Sequence, residues 1–401
     1  MRPIDQGVCA PKGFTAGAAA AGVKKPGTTR LDCALIVSDR AASVAGTFTT
    51  NVVHAAPVRY CRQVCEGGTA RAIVVNSGNA NACTGARGEA DCAATATLTA
   101  QLLDISPREV CVCSTGVIGV PLPMDRLESG IRACAAALSP AAGPDAARAI
   151  MTTDTVPKEQ ALELPLDGGV VRLGAIAKGA GMIAPNMATM LCFITTDAAL
   201  EPPVLHALLR AAVSRSFNCI CVDNDMSTND TVLCLANGAS GVRITPGSAD
   251  QERFGDALTQ LCTTLAQALV RDGEGVTKFV DIQVRGAADD ADARRIAASI
   301  AKSQLCKTAF YGQDANWGRI AAAAGYSGAR FDPAGLGLSI QGVQVLEAGC
   351  PTAYDEARVQ ALMKAPELLV QLTLNEGTGS AQFWTSDLSL DYVKINADYR
   401  T

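Results

Sequence analysis

The chain has 401 residues, 48% hydrophobic and 18% charged, enough apolar material to bury a large core in two domains or one elaborate one. Its formal net charge is −5 and it has no Lys/Arg block, so it lacks the electrostatic footprint of a binder of nucleic acid or of an anionic membrane surface. The start, "MRPIDQGVCAPKGF", carries Asp5 and no apolar signal region, and no later segment offers about 18 uninterrupted apolar residues; a cytoplasmic protein acting on small metabolites is expected.

In chain order, apolar runs and turn residues predict a strand at "AIVVN" (72–76), a helix over 89–103, a strand at "EVCVCS" (109–114) and a helix over 124–137. Strands at "VRLGAIA" (171–177) and "TMLCFITTD" (189–197) follow, then a helix over 202–215. Further strands are expected at "CICVD" (219–223) and "TVLCLAN" (231–237), with a helix over 250–271. The last part reads "FVDIQVRG" (279–286), a helix over 289–303, "LSIQGVQV" (338–345), a helix over 354–364 and "LLVQLTLN" (368–375). Several helices have Pro, Asp or Ser near the start and Gly or Pro past the end. The alternation predicts a layered α/β architecture. The charged patch "GAADDADARR" (286–295), near the start of a self-contained series of elements, places a boundary at about 281 between a 1–280 catalytic domain and a smaller α/β domain over 281–401.

Sixteen cysteines are scattered through apparent core segments and read as reduced thiols. The pairs Cys111/Cys113 and Cys219/Cys221 sit in strand-like runs without the two-residue gap of a zinc knuckle, and read as small buried hydrophobes. Only His54 and His206 are present, which supplies neither a His-based triad nor a zinc site, and no metal is expected. "DNDMSTND" (223–230) imitates a calcium loop, but Thr228 stands where the turn glycine belongs and Cys234 where the chelating Glu belongs. It reads as a polar turn buttressing something nearby. The third glycine of a dinucleotide fingerprint, the P-loop and the Gly-x-Ser-x-Gly elbow are all missing.

What remains is a set of small, polar, Gly-rich junctions: "NSGNANACTG" (76–85), "STGVIG" (114–119), "TTDT" (152–155), "KGAGMIAPNMATM" (178–190) and "DGEG" (272–275). Any one alone is an ordinary turn. Together, in a chain without histidine chemistry, they suggest a site built from hydroxyls and backbone N–H groups. The junction at 178–190 passes into a strand through Ala188 and Thr189, where Thr is either a plain strand residue or a nucleophile.

"NSGNANACTG", "STGVIG", "KGAGMIAPNMATML", "STNDTV" and "NWGRI" resemble the ornithine acetyltransferase, or glutamate N-acetyltransferase, family of the cyclic arginine pathway, from "APKGF" at 10–14 to the end. The chain departs from the family pattern at Asn224 and Met226, where Gly and a small hydroxyl residue are usual, and at Ala315, where Pro is usual. Asn tolerates the left-handed conformation that Gly would supply at 224.

The resemblance implies self-cleavage between Ala188 and Thr189 into chains of 188 and 213 residues that pair into a heterotetramer, on a fold similar to the self-processing aminopeptidases. It implies that Thr189 carries the acetyl group from N2-acetylornithine to glutamate, with Thr115 and Gly116 as the oxyanion hole. Substrate contacts map onto Thr152/Thr153, with the choice between the two open, and onto Lys178, Thr189, Glu274, Asn396 and Thr401. No cofactor is implied; acetyl-CoA stays open as a second acetyl donor. A self-processing amidohydrolase or aminopeptidase with an N-terminal Thr, and an unprocessed metabolite-binding protein, are the alternatives.

Overall fold

A computed structural model describes residues 1–184 and 190–398. Its frame is a nine-stranded sheet in the order Arg2–Ile4, Lys158–Leu166, Gly169–Lys178, Leu191–Thr196, Thr231–Ala236, Cys33–Phe48, Thr69–Asn79 and Val110–Val117, with Phe14–Ala19 paired to Cys33–Phe48. Most neighbours run antiparallel, but Leu191–Thr196 is parallel to Thr231–Ala236, and Thr69–Asn79 to Val110–Val117.

Period two sorts the side chains into cores on both faces. Cys33, Leu35, Val74 and Val112 join helices Gly85–Leu103 and Met124–Ala136, while Ala34, Ile36, Ile73 and Val75 point to the opposite side. Cys111 and Cys113 share that second face, where the Cys61 thiol donates to Val112 O at 3.1 Å. Farther along the sheet, Cys192 and Ile194 pack beneath helices Pro202–Ser214 and Ala249–Arg271, and Leu191 and Phe193 face away from them.

A seven-stranded sheet runs in the order Cys350–Pro351, Val343–Glu347, Gly337–Ile340, Glu367–Thr373, Phe279–Ala287, Gly379–Ser386 and Ile220–Cys221. Helix Asp290–Lys302 covers one face with Ile296 and Ile300 against Ile282 and Phe383. The same apolar cluster continues through helix Ala249–Arg271 to Leu173 of the first sheet. "CICVD" shrinks to the edge strand Ile220–Cys221, because a 3₁₀ turn over Phe217–Cys219 takes its start. "LSIQGVQV" is a hairpin: Ile340 pairs with Val343, and Gln341 and Gly342 both have positive φ, as a two-residue primed turn requires. Among the described residues no helix is long and apolar enough to cross a membrane.

The N-terminal turn Gly7–Cys9 seats directly on the sheet. Gly174 permits this: a Cβ there would lie 1.9 Å from Gly7 O, and Thr195 Oγ1 donates to Val8 O at 2.8 Å. Gly174→Ala is therefore expected to lift this turn and lower stability by about 1–3 kcal/mol, the usual cost of overpacking. The midpoint of denaturant unfolding measures it, and an unchanged midpoint contradicts the contact.

Candidate active site

One cavity of about 350 Å³ gathers residues from loops far apart in the sequence, among them Thr115, Gly116, Thr152, Thr153, Lys178, Glu274 and Asn396. Every nominated site residue that the structure describes lines it. Ala188, Thr189 and Thr401 lie outside the described residues.

Thr115 and Gly116 come from the C-terminal end of strand Val110–Val117. Here the ladder to Thr69–Asn79 slips at Gly78 and Asn79, and Gly116 takes φ +131, a conformation that L side chains rarely adopt. A Cβ on Gly116 would stand 2.3 Å from the Gly78 carbonyl carbon, so only glycine lets the strands approach this closely. Buried amides fix the bend: Ser114 Oγ donates to Asn76 Oδ1 at 2.7 Å, and Asn229 Nδ2 to Ala80 O at 2.6 Å and Ser114 O at 2.8 Å. Asn229 belongs to the false calcium loop, whose buttressing role is thereby concrete.

Below the cavity lies a buried charge cluster. Asp154, with a side chain 0% exposed, accepts from Lys158 Nζ at 2.7 Å, Gly179 N at 2.7 Å and Thr152 N at 3.0 Å, and its Oδ2 is 4.0 Å from Lys178 Nζ. Lys158 Nζ also donates to Asp272 Oδ2 at 2.5 Å, and Asp272 accepts from Thr155 N at 3.0 Å. Burial alone would raise the Asp154 pKa, but the charges of Lys178 and Lys158 and the Gly179 N–H outweigh it and hold the carboxyl at about 2. Burial lowers the Lys178 pKa, and the neighbouring Asp154 carboxylate resists that drop. Lys178 thus brings a buried amine to the cavity wall, its Nζ 4.0 Å from Asp154 Oδ2, an arrangement that leaves it able to meet an incoming anionic group.

The Glu274 carboxylate closes the other side. Asn396 Nδ2 donates to Glu274 Oε2 at 2.9 Å, and a Cβ on Gly181 would meet that oxygen at 2.5 Å, so Gly181 makes room for the acid. Helix Leu390–Asp398 brings Asn396 and Tyr392 to the cavity. It is tied down where Ser389 Oγ donates to Gly275 O at 2.6 Å and accepts from Tyr392 N at 3.2 Å.

Sequence reasoning missed several groups. Asp223 accepts from Met182 N at 2.6 Å and Ile183 N at 2.8 Å, and burial raises its pKa to about 6 against those N–H donors. The next residue, Asn224, has φ 68, the left-handed turn expected of it. Asp230 Oδ1 accepts from Met190 N at 3.0 Å and so holds the residue that follows Thr189. Burial pushes the Asp230 carboxyl well above its usual range. Short range offers no signal for Asp230 or Asp272, because their partners are distant in the chain or are backbone N–H groups, and the Asp154–Lys158 pair, four residues apart, becomes a cluster only once Lys178 and Asp272 join it.

Lys158 neutralises two buried carboxylates at once. Lys158→Met is expected to cost about 3–5 kcal/mol, the penalty for leaving a buried ion-pair partner uncompensated, measurable by denaturant unfolding. A loss within 0.5 kcal/mol, roughly that of a neutral surface change, contradicts the cluster's structural role.

The model of the ArgJ family matches residues 15–401. The chain is 52% identical over 402 residues to the arginine biosynthesis bifunctional protein ArgJ of Symbiobacterium thermophilum, with 100% of both chains covered. It is 52% identical over 392 residues, 97% of this chain and 99% of the other, to the protein of the same name from Geobacter sulfurreducens. The solved structure of the Bacillus halodurans arginine biosynthesis bifunctional protein matches with a TM-score of 0.50 at 40% identity, covering 51% of this chain and 97% of that chain. The chain belongs to the ArgJ family.

Proposed function

We propose that this cavity is where the enzyme transfers acetyl groups in arginine biosynthesis, from N2-acetylornithine to glutamate through an acetyl ester on Thr189. The observation that carries the reading is the convergence of Thr115, Gly116, Thr152, Thr153, Lys178, Glu274 and Asn396 on one cavity in an ArgJ-family chain.

In the precursor, the Thr189 hydroxyl attacks the Ala188 carbonyl, the peptide C–N bond breaks as the nitrogen gains a proton, and water hydrolyses the resulting ester. This frees an α-amine whose ordinary pKa is near 8, a competent base for its own hydroxyl. In the first half of transfer, Thr189 Oγ adds to the acetyl carbonyl while the α-amine takes its proton. The tetrahedral oxyanion is held by the Thr115 hydroxyl and the Gly116 N–H. Collapse breaks the C–N bond, and the proton passes to the departing ornithine amine. The amine of glutamate then attacks the ester and leaves as N-acetylglutamate, restoring Thr189. Lys178 pairs with a substrate carboxylate, and Glu274, steadied by Asn396, receives the ornithine ammonium. Thr401 belongs to the same substrate shell in this reading.

The matched Bacillus halodurans chain spans 51% of this one, close to the share of either piece of a cut after residue 188, which supports processing into two chains; in the same reading these pair into a heterotetramer. The word bifunctional in the relatives' names supports acetyl-CoA as a second donor. A small-molecule enzyme without a membrane-crossing helix among its described residues fits a cytoplasmic location.

Thr189→Ala is expected to give one uncut chain by intact mass and no acetyl transfer from N2-acetylornithine to glutamate. A cleaved or active variant refutes the nucleophile, while hydrolysis by the wild type without dependence on glutamate favours an amidohydrolase. Asp154→Asn tests the charge logic separately. Losing the carboxylate removes what opposes the burial-driven fall of the Lys178 pKa, so the ammonium discharges at lower pH. The high-pH decline of kcat/KM should then move toward neutrality, and an unmoved decline removes Lys178⁺ from substrate binding.

A further inference from the structure

A second cleft, about 670 Å³ in volume, lies between helix Ala249–Arg271 and the second sheet, apart from the cavity described above. Its wall carries Arg215, Arg285 and Arg294 against a single carboxylate, Asp290, whose Oδ1 already accepts from Ser380 N at 2.8 Å. In a chain of net charge −5, such a local excess of guanidinium needs a reason. Among the described residues none of the three arginines makes an ion pair.

Arg294 is held rigidly but not neutralised: its Nη2 donates to Ser214 O at 2.7 Å and Asn218 O at 2.9 Å. Arg215 and Arg294 both act on the Cys219 thiol, opposing the rise in its pKa that burial causes, so the two guanidiniums reach the same corner of the cleft. Trp384 supplies an independent observation. It lines the cleft at 4% exposure, and its indole N–H, which can only donate, has no acceptor among the described residues. Buried donors without partners are rare in native proteins. Three guanidiniums without an ion pair among the described residues call for acceptors with negative charge, and the indole N–H is a further donor left without a partner there.

We propose that this cleft is a binding site for a small, multiply charged oxyanion, a metabolite carrying two or more phosphate or carboxylate groups. Arg215 and Arg285 supply charge and forked donors, Arg294 a fixed guanidinium, and the Trp384 ring forms part of the wall beside them. Phosphate and carboxylate oxyanions share this chemistry, and the cleft has room for either.

The test uses the processed enzyme. The chain has two tryptophans, so Trp317→Phe leaves Trp384 as the reporter. Inorganic pyrophosphate and citrate are titrated separately against sodium chloride at matched ionic strength, by Trp384 emission and by isothermal titration calorimetry. Saturable binding of pyrophosphate points to a phosphate ligand and saturable binding of citrate to a polycarboxylate, with chloride giving no saturation. Arg215→Ala with Arg285→Ala should raise the dissociation constant by roughly tenfold or more, as expected when charge-assisted hydrogen bonds are lost, while basal acetyl transfer stays unchanged. The proposal is overturned if neither anion binds saturably by either method, or if binding survives removal of both arginines.

Discussion

The site rests on the buried pairing of Asp154, Lys158, Lys178 and Asp272. An isolated ion costs several kcal/mol to bury, so each of these groups is tolerable only with the others in place. Asp154 joins the loop at Thr152 to the strand end at Lys178 and Gly179, and Lys158 joins both to Asp272. Two residues after Asp272, Glu274 N donates to Ala180 O at 2.9 Å. The hydroxyls at 152–153, the Lys178 ammonium and the Glu274 carboxylate are therefore fixed relative to one another before any ligand arrives, which is the preorganisation a transfer site needs.

Glycine does the complementary work of letting backbones and charges approach. Gly116 crosses Gly78 where any Cβ would collide, Gly181 leaves space for the Glu274 carboxylate, and a Cβ on Gly275 would strike Tyr392 N at 2.4 Å. The cavity wall is thus set by absent side chains as much as by present ones.

Segments with β-branched runs or clear helical periodicity were legible in the sequence: Thr69–Asn79, Val110–Val117 and the helices Pro202–Ser214 and Ala249–Arg271 lie close to their expected bounds. The longest strand, Cys33–Phe48, was not. Its "AASVAG" half is built of small residues, and "SDR" interrupts the apolar pattern at the point where the pairing with Thr69–Asn79 shifts register between Val37 and Ala42. Its strand state comes from neighbours on both sides, a tertiary effect that local propensity does not carry. The site divides in the same way. Glycine-rich junctions and family motifs pointed to Thr115, Lys178 and Glu274, whereas Asp154 and Asp272 look like ordinary loop acids until the fold brings Lys158 between them.

The sheet also explains how the enzyme could survive a cut between Ala188 and Thr189. The strands on either side of that junction, Gly169–Lys178 and Leu191–Thr196, are antiparallel neighbours in register from Lys178 and Leu191 to Leu173 and Thr196. On its other edge Leu191–Thr196 pairs with Thr231–Ala236, which in turn pairs with Cys33–Phe48. Residues after the junction are therefore clamped between two strands that precede it. Breaking one peptide bond in the connection removes no ladder hydrogen bond between these strands and no side chain from the cores on either face. The ladder, rather than chain continuity, then keeps Met190 beside Asp230.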